Sequence, residues 1–119
     1  MKHVKYIGIL LIISLMGMLL VTMKVEATPP RYINLKYDKN TEILKVLVFH
    51  FSPVRTFHYI YRVIVEKNGV LEQSHFYSKQ PSFLANRYEY NISASSGDML
   101  TVSAYCILFG YNTFSITVN

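Results

Sequence analysis

The dipeptide Asn68-Gly69, set between the β-rich runs Ile60–Lys67 and Val70–Tyr77, constrains this chain more than any other feature. Asn-Gly supplies two consecutive positions that accept positive φ, the requirement of a type I′ turn whose twist matches paired antiparallel strands. The pattern predicts a hairpin there. The same grammar runs through the chain from residue 32 on. Tyr32–Tyr37, Ile43–Phe51, His58–Glu66, Leu71–Tyr77, Asn86–Ile92, Met99–Cys106 and Thr113–Val118 are rich in Tyr, Val, Ile, Phe and Thr, which suit a pleated, half-buried surface. Asp38-Lys39-Asn40, Ser52-Pro53, Pro81-Ser82 and Ser95-Ser96-Gly97-Asp98 supply turn residues between them. Leu100, Val102, Ala104 and Cys106 alternate with Thr101, Ser103 and Tyr105, and Phe114, Ile116 and Val118 alternate with Thr113, Ser115 and Thr117. That period of two marks strands with one face on a core. Seven short strands broken by frequent turns predict an all-β chain, an immunoglobulin-like antiparallel β-sandwich.

The first 27 residues follow a different rule. Lys2 and Lys5 precede an uncharged stretch of 18 residues, Tyr6–Met23, and Val25-Glu26-Ala27 forms a small-x-small cleavage pattern before Thr28-Pro29-Pro30. This order predicts a secretory signal over residues 1–27 and a single domain over residues 28–119. As a helix the stretch would measure roughly 27 Å, so an uncleaved N-terminal anchor is the alternative. In both cases the basic flank holds the N-terminus in the cytoplasm and places the domain outside. The predicted location is extracytoplasmic, with membrane contact only through the N-terminal segment. No Cys follows the apolar run closely, which excludes a lipoprotein anchor.

Composition narrows the function classes. A single cysteine among 119 residues excludes an internal disulfide framework and a cysteine-rich zinc module. The domain from Thr28 carries nine Lys or Arg against six Asp or Glu, a net charge of +3 with no basic run, which gives no nucleic-acid footprint. There is no Gly-rich phosphate loop and no HExxH helix. The many aromatics suit strand faces and core, although Tyr59, Tyr61, Tyr88 and Tyr90 could form an exposed partner surface. Asn91-Ile92-Ser93 matches a glycosylation sequon.

The residues able to carry chemistry are His50, His58, His75 and Cys106, whose imidazoles and thiol are ligand types for Fe, Zn or Cu. His50, His58 and Cys106 fall at strand ends, which in a sandwich meet at a common rim. The bland alternative for Cys106 is a small core hydrophobe, since it shares a face with Leu100, Val102 and Ala104. For His75 it is a surface position in a hairpin strand.

The order of these residues resembles a known family. His50-Phe-Ser-Pro-Val-Arg-Thr-Phe-His58-Tyr-Ile is similar to the His, Pro-containing loop, His-Tyr-Ile segment of desulfoferrodoxins and superoxide reductases. Ala104-Tyr-Cys106-Ile-Leu-Phe109-Gly110 resembles that family's Ala-Tyr-Cys-Asn-x-His-Gly. The resemblance spans roughly Tyr32 to Val118. It implies an immunoglobulin-like sandwich in which four His and one Cys hold a non-haem iron, with a position open to superoxide. His50 and His58 would be equatorial nitrogens and Cys106 the axial sulfur. Phe109 stands where the family's last His ligand belongs, and Ile107 replaces its Asn. The family's early His has no counterpart after residue 28, and its superoxide-assisting Lys is not identifiable. The resemblance therefore implies an exported iron-binding domain with a degenerate site, superoxide reductase-like one-electron chemistry and an external electron donor. The alternative is a metal-free binding or structural module on the same fold.

Overall fold

The computed structural model describes residues 2–20 and 28–119. From Tyr32 on it is antiparallel β, with β1 (Tyr32–Asp38), β2 (Ile43–Phe49), β3 (Ile60–Lys67), β4 (Val70–Phe76), β5 (Ala85–Asn91), β6 (Met99–Cys106) and β7 (Tyr111–Thr117). They form two sheets, one ordered β1-β2-β5 and the other β4-β3-β6-β7. The turn between β3 and β4 has the expected geometry: Asn68 and Gly69 take φ of 52° and 80°, and Lys67 pairs with Val70.

The core is made by the alternation legible in the sequence. Leu44, Val46 and Val48 of β2 and Leu100, Val102 and Ala104 of β6 are all at or near zero exposure. β3 departs from strict alternation, because Ile60 and Val63 are both buried. A register shift between Ile60 and Arg62 against β6 accounts for it. A bulge inserts an extra residue, bends the strand and re-aims its side chains. This one lies where β3 enters the sheet, next to Cys106, which pairs with Ile60.

Several expectations are corrected. β2 stops at Phe49 and β3 starts at Ile60, so His50, Phe51, His58 and Tyr59 belong to the connecting loop. Phe114 is 42% exposed rather than core, because β7 is an edge strand; its ring lies 5.9 Å from that of Tyr32. Tyr88 and Tyr90, by contrast, lie in the core cluster, as their reading as core aromatics expects, and the alternative of an exposed surface at these two positions falls away.

At the N-terminus a helix, α1, spans Lys2–Leu20. Among the described residues no helix is long and apolar enough to cross a membrane. Lys2 and Lys5 occupy its first turns, and Tyr6–Leu20 measures about 22 Å against a hydrocarbon core of about 30 Å. The end of the predicted apolar stretch and the Val25-Glu26-Ala27 pattern lie outside the described residues.

Candidate metal centre

Four segments meet at one end of the paired sheets: the approach to β1, the β2–β3 loop, the β4–β5 loop and the β6–β7 turn. Register fixes this, since Tyr32 pairs with Phe49, Phe49 with Ala85, Ile60 with Cys106, and Tyr105 with Tyr111. His50 follows directly on β2. Its backbone N–H donates to the Leu84 carbonyl at 2.9 Å, which draws the start of one loop against the end of another. The His50 side chain is 1% exposed.

A buried polar group needs partners, and Gln80 supplies them. The Gln80 amide N–H groups donate to the His50 carbonyl (3.0 Å) and the Ser82 carbonyl (2.8 Å). Its Oε1 accepts from the Ile60 N–H at 3.2 Å and faces His50 Nδ1 at 2.8 Å. With the amide so oriented, Nδ1 is the donor to Oε1. His50 Nε2 then points at the Thr28 carbonyl, 3.0 Å away.

His58 is brought back by a tight turn in which the N–H groups of Phe57 and His58 both donate to the Val54 carbonyl, at 3.0 and 2.9 Å. The Ser52 hydroxyl donates to the His58 carbonyl. The two imidazoles lie edge to face, with ring centroids 4.5 Å apart and planes at 81°. Burial first, and then the neighbouring His50, push the His58 imidazole below its ordinary value of 6.5, opposed by the contact with Thr28. His58 is therefore mostly neutral at pH 7, with a lone pair to offer.

Cys106 ends β6 as a free thiol, 3% exposed. Its N–H donates to the Gly110 carbonyl at 2.9 Å and closes the turn to β7. One ligand atom from each of His50, His58 and Cys106 lies within 4.8 Å of the others. Two ligands on one metal can be at most about 4.6 Å apart, twice a bond of about 2.3 Å. The trio is within a small adjustment of a shared ion, and its nitrogen and sulfur donors suit Fe, Zn or Cu.

His75 does not join them. It lies in β4, stacks on Tyr90 at 4.5 Å and meets Gln73 Oε1 through Nε2 at 2.7 Å. Phe109, in the turn that follows Cys106, is 73% exposed.

Two participants escaped the sequence reading. Gln80 is fully buried behind His50. Thr28 lies across both rings, its carbonyl at His50 Nε2 and its hydroxyl 3.2 Å from His58 Nε2. Asn112 holds this strap by donating to the carbonyls of Pro30 and Arg31, at 3.1 and 3.2 Å. Thr28, Pro29, His50 and His58 help line an open cleft of about 480 Å³. Neither contact has a local sequence signal, for Gln80 and Thr28 stand 30 and 22 residues from His50.

No protein-family model matches the sequence, and no curated protein matches it.

Proposed function

We propose that residues 28–119 form an exported, immunoglobulin-like domain that binds a non-haem iron through His50, His58 and Cys106. The observation that carries this reading is the 4.8 Å grouping of two imidazoles from the β2–β3 loop with the thiol that ends β6. The two facing sheets, β1-β2-β5 and β4-β3-β6-β7, support the immunoglobulin-like assignment. In such a site iron would supply one electron to superoxide, which with two protons leaves as hydrogen peroxide.

The chain's own residues have definable parts. Gln80 Oε1 accepts the hydrogen bond of His50 Nδ1–H and so would leave Nε2 as the ligand atom, the outer-shell arrangement that fixes a metal-binding imidazole. A neutral His50 has one proton for two facing acceptors, Gln80 Oε1 and the Thr28 carbonyl. An ion taken up at Nε2 would displace the Thr28 contact and remove that shortfall. The buried Cys106 would supply an anionic sulfur, lowering the charge of a bound cation. The domain has a single Cys and so no thiol pair of its own to cycle, and this reading calls for an external electron donor.

The second reading, a metal-free binding module, is favoured by Thr28. Its carbonyl and hydroxyl already occupy both Nε2 atoms, as expected of a site inherited and then closed. Metal titration separates the two. The full chain, purified without an affinity tag, should take up Fe(II) and develop a thiolate-to-Fe(III) band on oxidation. No uptake by the wild-type chain, and none gained in Phe109→His, would leave the binding module standing.

A further inference from the structure

We infer that the loop end carrying His50, His58 and Cys106 rests on a lipid surface, so that the domain itself, and not only the N-terminal segment, touches the membrane. The loops there expose a crown of large apolar side chains. Phe51 is 62% exposed, Val54 52%, Phe57 69%, Phe83 60%, Ile107 43% and Phe109 73%. They come from three separate loops that register and hydrogen bonds bring to one end. Large exposed apolar side chains gathered at one end of a fold mark an interaction site.

Charge identifies the occupant. The four segments at this end, residues 28–31, 50–59, 77–84 and 107–110, contain Arg31, Arg55 and Lys79 and no Asp or Glu. The opposite end mixes signs, with Asp38, Glu42 and Asp98 beside Lys39 and Lys67. Aromatic and aliphatic tips accompanied by cations, without a carboxylate in these segments, match the apolar interior and anionic headgroups of a bilayer surface.

Connectivity points the same way. Thr28 is fixed at this end by its contacts with both histidines. Seven residues separate it from Leu20, the last residue of α1, a gap that spans at most roughly 29 Å. The described side chains of α1, Ile7, Leu10 and Leu15 among them, are exposed. Beyond Lys5 the helix carries no charge on any side, and such a surface favours a non-aqueous environment. Wherever that helix enters lipid, the tether keeps Thr28, and with it the crown end, within roughly 29 Å of the end of α1.

The chain has no Trp, so a single Trp is a clean reporter. The full chain would be reconstituted in vesicles of phosphatidylcholine and phosphatidylglycerol, with Phe57→Trp or Phe109→Trp in the crown and Lys39→Trp at the opposite end. Both crown sites are largely exposed, so either variant can stand in if the other folds poorly. Lipids brominated on the acyl chain should quench most of the emission from the two crown reporters and leave Lys39→Trp unchanged. Unquenched crown reporters, or equal quenching at Lys39→Trp, would overturn the inference. Crown emission that shifts to the blue with protein concentration, and ignores bromine, would assign the face to a second copy of the chain. None of these outcomes depends on metal binding.

Discussion

The side-chain oxygen of Gln80 lies 2.8 Å from Nδ1 of His50, and the same amide donates back to the His50 carbonyl. One glutamine thus sets both the ring and the backbone of the most buried candidate ligand. It also bridges the sheets, because its oxygen accepts from the Ile60 N–H of β3.

Gln80→Ala would leave the Ile60 N–H, the His50 carbonyl and His50 Nδ1 without their partner. Each buried group so orphaned costs about 1–3 kcal/mol. We expect a large fall in the urea midpoint and, if metal binds, a 10–100-fold loss of affinity, the usual consequence of removing an outer-shell partner. Gln80→Glu keeps an acceptor at Nδ1 and should retain more affinity than Gln80→Ala. Equal affinity in the two variants would mean that Gln80 does not set the ring.

Cys106→Ser should abolish the sulfur charge-transfer band of the Co(II)- or Fe(III)-loaded chain and leave the far-ultraviolet dichroism unchanged. Phe109→His adds a nitrogen in the turn that follows Cys106 and should tighten binding. Because Phe109 is exposed, the change disturbs no packing, so stability serves as the control.

Gly110 and Gly69 take similar backbone conformations, φ 85° and 80°, but differ in surroundings. A Cβ on Gly69 meets nothing, whereas one on Gly110 would lie 2.9 Å from Pro29 Cβ and 3.4 Å from Pro29 Cα. Both Ala variants carry the positive-φ cost of about 1–2 kcal/mol. Gly110→Ala should lose more, since it also pushes the Thr28–Pro30 strap away from the histidines. Chemical denaturation of the pair isolates that contact, and equal losses would show that the strap is not pressed on the turn.

Asp98 accepts from the Ser95 N–H and from the Asn68 side chain, both at 2.9 Å, and these bonds hold its carboxyl below the usual 3.8. A depressed carboxyl stabilises the fold above its unfolded value, and that contribution is lost as pH falls through the folded one. Asp98→Asn should therefore lower the unfolding midpoint at pH 7, with the difference from wild type shrinking below about pH 3.8. A difference independent of pH would mean that the carboxylate charge is not what these bonds stabilise.

The Tyr88 hydroxyl is buried and has no hydrogen-bond partner among the described residues, while Tyr77 and Tyr90 beside it bond to each other at 2.7 Å. Tyr88→Phe removes a desolvated hydroxyl and keeps the ring packed on Tyr77 at 4.9 Å. Thermal unfolding should show stability unchanged or raised by about 1 kcal/mol. A clear loss would reveal a bond that the packing does not suggest.

Much of this protein was legible in its sequence because the relevant forces are local. Asn68-Gly69 fixed a hairpin because the turn's φ values are a property of two residues. The alternation through Leu100, Val102, Ala104 and Cys106 fixed a buried face because strand side chains alternate with period two. The order of His50, His58 and Cys106 named two ligand types at three positions, which the structure groups where the β2–β3 loop meets the end of β6. The tertiary structure decided what depends on distance through space. It placed Phe114 on an open edge, where neighbouring strands rather than residue type set exposure. It put Gln80 behind His50 and Thr28 across both rings, contacts of long sequence separation that no local pattern encodes. It also gathered apolar tips from three loops onto one cation-bearing end, because antiparallel register alone determines which loops share an end.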